Sequence, residues 1–224
     1  MTTLENIVSE YQNAVNEQDW TRGFSDLVED LEGHRYGNKL NLKNEFLEKI
    51  GINYQHDNTT AGSLQSHAQN LLYLQSLGVT DIAKVVTRFP HIFSYSIEDN
   101  LQPHVDYLKE LGVTDIGKVV TRHPQILSLS IEDNLKPTVE YLTNECYTTI
   151  SDIENMPALV SYSLDKRIKP RHAFLQTKGV EVGYDIAVGT ILVLNDKKFA
   201  EKTAKSDYDE WMKFKEDYIE KNKI

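Results

Sequence analysis

The chain has 224 residues, 24 Lys and Arg against 34 Asp and Glu, and a formal charge of -10. Its 40% apolar and 26% charged residues suit one or two folded domains and exclude wholesale disorder. A single cysteine, Cys146, excludes an intramolecular disulfide framework and a Cys-based zinc site, and no apolar run approaches the length of a membrane span. The overall charge excludes a uniformly basic nucleic-acid binder, so any such site must be local.

In chain order, residues 1–60 form an acidic segment with eleven acids against five bases. Stretches 3–18 and 43–50 read as amphipathic helices, and polar residues 53–63 read as a linker. The first twenty residues hold three Glu, one Asp and no Lys or Arg, which fits neither a secretory signal nor an organellar leader. On sequence alone the expectation is a cytoplasmic protein, or one that is already mature or atypically targeted.

Residues 73–106 and 107–140 then align without a gap, identical at 24 of 34 positions. A degenerate third copy follows, with Pro157 and Pro170 each 33 residues after Pro124 and Pro137. A unit of this size cannot cover its own apolar face, so the period predicts a stacked helical solenoid. In the first copy Ile82, Val85, Val86 and Phe89 form one stripe of a short helix, with Thr80 as its expected N-cap and Pro90 as its stop. HIFSYS is predicted to be a tight or 3₁₀ turn. Leu101, Val105, Leu108 and Leu111 mark a longer helix, capped by Ser96 or Asn100, that tolerates Pro103 only near its start. Gly78 and Gly112 stand where left-handed C-caps are expected. The tetratricopeptide repeat shares this period, but it carries small residues at its helix crossings and one proline per unit. Here there are two prolines, and only Ala83 or Gly117 is small near a packing position.

LGVTDIxKVVTRxPxIxSxSIEDNLxPxVxYL resembles the repeat of the mitochondrial transcription termination factor (mTERF) family. The segment at 162–175, with its Arg-Ile-x-Pro-Arg, resembles that family's penultimate segment, and 192–203 its closing one. The resemblance covers about residues 64–205. It implies an all-α superhelical solenoid of helix pairs with short 3₁₀ turns. It also implies binding of double-stranded DNA or structured RNA along a basic concave path, with a role in transcription, its initiation or termination, or RNA metabolism. An organellar location, mitochondrion or plastid, is implied too. The expected organisation is an acidic N-terminal helical segment at 1–60, an mTERF-like repeat domain at 61–205, and a capping helix at 206–224, where Trp211, Phe214 and Tyr218 form an apolar stripe.

Two sets of cations are candidates for phosphate contact. Lys84 and Arg88 share a helix face off the apolar stripe, and Lys118 and Arg122 repeat them one unit later, so stacking would line the four up. The second set lies in 166–178, which has five bases and no acid and includes Lys166, Arg167, Lys169 and Arg171. His91 and His123 lie just beyond the first set. The bland alternatives are local pairing of Asp81 with Lys84 and of Asp115 with Lys118, and dipole compensation by Arg88 and Arg122 at helix ends. The third copy has Asn155 where the others have Arg.

No P-loop, HExxH or GxSxG pattern occurs, and no His pair has a metal-ligand spacing, so neither catalysis nor a cofactor is expected. Glu98–Asp99 and Glu132–Asp133 read as helix-start carboxylates, and Cys146 as a core residue. The expected protein is monomeric, without a membrane partner. A rival on the same fold is a protein-interaction scaffold whose acidic N-terminal segment docks a partner. A second is a repeat protein that has lost its groove charge.

Overall fold

A computed structural model describes residues 64–222. The expectations for 1–60, including the helices at 3–18 and 43–50 and the partner-docking role, lie outside the described residues. The described chain is all-α, and its one β-type feature is an isolated bridge between Val182 and Ile186.

Each repeat is built the same way. A short helix (Ile82–Arg88, Ile116–Arg122, Ile150–Asn155) stops before a proline. A 3₁₀ turn beginning at that proline follows (Pro90–Ser94, Pro124–Ser128, Pro157–Ser161). A widened, π-type turn (Ile97–Leu101, Ile131–Leu135, Leu164–Ile168) then leads into a longer helix (Gln102–Glu110, Lys136–Glu145, Lys169–Thr177). The degenerate third copy therefore folds as a full repeat. A short helix, Val188–Val193, short turns over 196–204 and a last helix, Tyr208–Lys221, follow.

The caps explain the boundaries. Asp81, rather than Thr80, caps the first short helix: its carboxylate accepts the Lys84 backbone N–H at 2.9 Å. The aspartate is one residue nearer the first free N–H groups, so its carboxylate takes the role that the threonine hydroxyl was expected to fill. Ser96, Ser130 and Ser163 start the longer segments, each hydroxyl accepting a backbone N–H three residues on at 3.1 Å. The longer helix thus begins seven residues before its proline, deeper than a proline normally tolerates. The π turn resolves this. Leu101, Leu135 and Ile168 donate their N–H to the carbonyls of Ser96, Ser130 and Ser163, five residues back. The wider turn relieves the contact between the proline ring and the preceding carbonyls.

The described residues divide into two compact units, 64–103 with 116–124, and 104–115 with 125–222. In the first, Val85, Val86, Ile92, Phe93 and Leu101 are buried together with Val119 and Val120. Two short helices of successive repeats meet there. Gly117 lies so close to the Leu77–Gly78 backbone that a Cβ on it would stand 2.8 Å from the Leu77 carbonyl oxygen. Gly78, at φ +82°, reverses the chain after the preceding helix and brings that backbone into place. In the second unit, the apolar stripe of Tyr208–Lys221 docks on the third long helix. Trp211 is fully buried, with its ring 5.2 Å from Phe174 and 4.8 Å from Phe199.

A methyl group at residue 117 has nowhere to go but into backbone. Gly117→Ala is expected to lower stability by about 1–3 kcal/mol, read from chemical denaturation. Unchanged stability would show that the two short helices are not held at this distance.

Candidate nucleic-acid interface

The first set of cations sits on the short helices of the first unit. Lys84, Arg88 and Arg122 are exposed and Lys118 is half-buried. Arg88 and Arg122 occupy the last turn of their helices. The Arg88 guanidinium reaches across one repeat and donates to the main-chain carbonyl of Arg122 at 3.3 Å. Equivalent arginines of successive repeats are thereby neighbours, as the repeat register requires. The bond also compensates the C-terminal end of the second short helix. His123 is half-buried beside it. Burial, reinforced by the Arg88 charge, lowers its pKa from the usual histidine value and favours the neutral ring.

The ladder has no third rung. Asp152 takes the place in the third short helix that Lys84 holds in the first, and Asn155 ends the third where Arg ends the other two. On the same helix the buried Glu154 accepts hydrogen bonds from the Thr114 backbone N–H and from its hydroxyl, the latter at 3.0 Å.

The second set is placed differently. Arg171 is 1% exposed. Its guanidinium donates to the carbonyls of Ile191 and Leu194, the latter at 2.8 Å, and to Asp196 at 2.7 Å, and it lies 4.7 Å over the Phe199 ring. Arg167 is half-buried. It donates to the Leu192 carbonyl at 2.7 and 3.0 Å and to that of Leu194 at 2.8 Å, and packs over Tyr162. These carbonyls belong to the end of helix Val188–Val193, whose last carbonyls have no partner within the helix. Two arginines one turn apart thus clamp that helix end. Lys169 pairs with Asp165 at 2.6 Å, and Lys166 is exposed. Of the four, Lys166 presents its charge most openly to solvent.

Sequence reasoning did not find this clamp. Its signal was the apolar company of the two arginines, namely Ile168, Pro170 and Phe174, with Asp196 downstream. Asp196 also accepts a hydrogen bond from Lys215 of the last helix at 2.8 Å, so one carboxylate joins three elements. Burial alone would raise its pKa. The hydrogen bonds and charges of Lys215 and Arg171 outweigh that and bring it from 3.8 down to about 2.

Cys146 is buried, and desolvation followed by the Glu145 charge pushes its thiol up to about 12. His172 is buried with its Nδ1 2.8 Å from the Tyr141 hydroxyl, and desolvation lowers its pKa. Among the described residues no three His, Cys, Asp or Glu side chains cluster as metal ligands. No helix among them is long and apolar enough to cross a membrane.

A tandem of helix pairs joined by 3₁₀ turns defines an all-α helical-repeat fold. The mTERF family model matches residues 61–200, and the chain belongs to the mTERF family. No curated protein matches the chain.

Because the Asp196 pKa is depressed on folding, its contribution is present above about pH 4 and lost as pH falls toward 2. Asp196→Asn is expected to lower stability at pH 7 by about 2 kcal/mol. It should also flatten the pH dependence of unfolding between about pH 4 and about pH 2. An unaltered acid profile would show that Asp196 does not hold the C-terminal helix.

Proposed function

We propose that the protein binds double-stranded nucleic acid, DNA or structured RNA, through its phosphate backbone, and acts without catalysis in transcription or RNA metabolism. Family membership supports the class of function. The carrying observation is the bond from the Arg88 guanidinium to the main-chain carbonyl of Arg122, its equivalent one repeat on, which supports a shared row of cations. Lys84, Arg88, Lys118 and Arg122 form the proposed contact of the first unit, and Lys166 is a separate proposed contact of the second. Arg167 and Arg171 serve by shaping the unit that carries Lys166, and Lys169 is shared with Asp165.

Rows of cations bind phosphate through counterion release, largely without regard to sequence. Two rungs are few, and the chain carries a net charge of -10. Binding should therefore be salt-sensitive and of modest strength, with target choice depending on the shape of the duplex. The family's organellar setting is the proposed place of action.

The test is a titration of duplex DNA and hairpin RNA at several salt concentrations. Replacing Lys84, Arg88, Lys118 and Arg122 by Gln should weaken binding to both. The slope of log K against log salt should fall by about 1 for each phosphate contact removed. Lys213→Gln, on the exposed side of the last helix, should leave both unchanged. Wild-type affinity and slope in the fourfold variant would refute the interface.

A further inference from the structure

The second unit carries a surface of opposite chemistry. Beside the third repeat an open cleft of about 330 Å³ is walled by Cys146, Met156, Leu159, Ala187 and Val188. Gly189 opens it, since a Cβ there would stand 2.9 Å from the Met156 sulfur. At its edge two tyrosines project into solvent. Tyr147 is 51% and Tyr184 71% exposed, and their rings meet edge to face at 4.7 Å.

The backbone fixes this pair. Tyr147 has φ +50°, a left-handed conformation uncommon for an aromatic residue. Gly183, at φ +96°, packs so closely that a Cβ would stand 2.9 Å from that of Tyr147. The loop is closed by the Gly183 N–H donating to the Ile186 carbonyl at 2.8 Å and by the Glu181 N–H donating to the Asp185 carboxylate at 2.7 Å. Two large aromatic side chains are thus held exposed beside an apolar hollow, an arrangement that folding alone does not reward.

Charge selects the occupant. Asp152 lines the cleft, and Glu145, Glu181 and Asp185 are exposed on the segments that build it, 142–164 and 179–195, which hold no Lys or Arg. A phosphate backbone would be repelled there. A cation would be attracted, and tyrosine ring faces hold Lys or Arg directly. We propose that the Tyr147–Tyr184 cleft docks a partner protein through an extended segment in which Lys or Arg alternates with apolar side chains. The apolar groups enter the hollow at Met156 and Val188, and the cations lie on the tyrosines and the acidic rim. This surface works independently of the phosphate-binding ladder.

The test uses the full chain with ¹³C-methyl methionine and two acetylated, amidated peptides, one of Gly-Arg-Leu repeats and one of Gly-Glu-Leu repeats. The Arg peptide should shift the Met156 methyl resonance saturably, leaving that of Met212 in place, and the Glu peptide should not. Tyr147→Asn, a residue that tolerates the left-handed backbone, combined with Tyr184→Ser should weaken Arg-peptide binding by about tenfold or more. Duplex affinity and melting temperature should stay unchanged. Glu181→Gln, which keeps the backbone bond to Asp185, should weaken binding in the same direction. An undisturbed Met156 resonance, equal affinity for the two peptides, or full affinity in both variants would overturn the proposal. Loss of duplex affinity in the tyrosine variant would assign the pair to nucleic acid and overturn it equally.

Discussion

The short helices of successive repeats can lie side by side only because residue 117 has no side chain where it meets the Leu77–Gly78 backbone. That closeness depends in turn on Gly78 leaving its helix in the left-handed conformation, which any other residue would adopt at a cost. Once the two backbones are in contact, the repeat sequence does the rest. Positions 34 apart become neighbours, and Arg88 falls within reach of the Arg122 carbonyl. The functional reading of the ladder therefore rests on a packing contact in which no cation takes part.

Much of the architecture was legible because it is repeated. The prolines, the C-cap glycines and the apolar stripes occur in two nearly identical copies, and each expectation could be checked against its duplicate. Short helix, 3₁₀ turn and longer helix follow in that order in all three repeats. The π turns were not legible. Their cause is a conflict between a serine cap and a proline seven residues later, and sequence periodicity registers the proline without showing how the turn widens around it. The first N-cap moved from Thr80 to Asp81 because both residue types cap, and only geometry decides which side chain reaches the free N–H groups.

The site was legible as charge and less so as purpose. The sequence shows that Arg167 and Arg171 are basic. It does not show that helix Val188–Val193 ends against them and offers its carbonyls. An arginine presents several donors in a planar fork, so it suits a helix end as well as a phosphate. Burial separates the two uses: Arg171 is enclosed, while Lys84, Arg88 and Arg122 stand in solvent. The Tyr147–Tyr184 pair was invisible for a related reason. Its members are 37 residues apart in sequence, and a glycine and a left-handed backbone bring them together.

Charge is thus sorted by location more than by amount. A chain with ten more acids than bases still gathers cations on two short helices, while segments 142–164 and 179–195, beside the apolar hollow, hold acids and no Lys or Arg. The account stands most directly on a hydrogen-exchange footprint of the full chain with and without a duplex at low salt. It predicts slowed exchange over 84–88 and 118–122 together, with no change around 147 and 184. Protection absent from both short helices, or centred on the tyrosine pair, would contradict it.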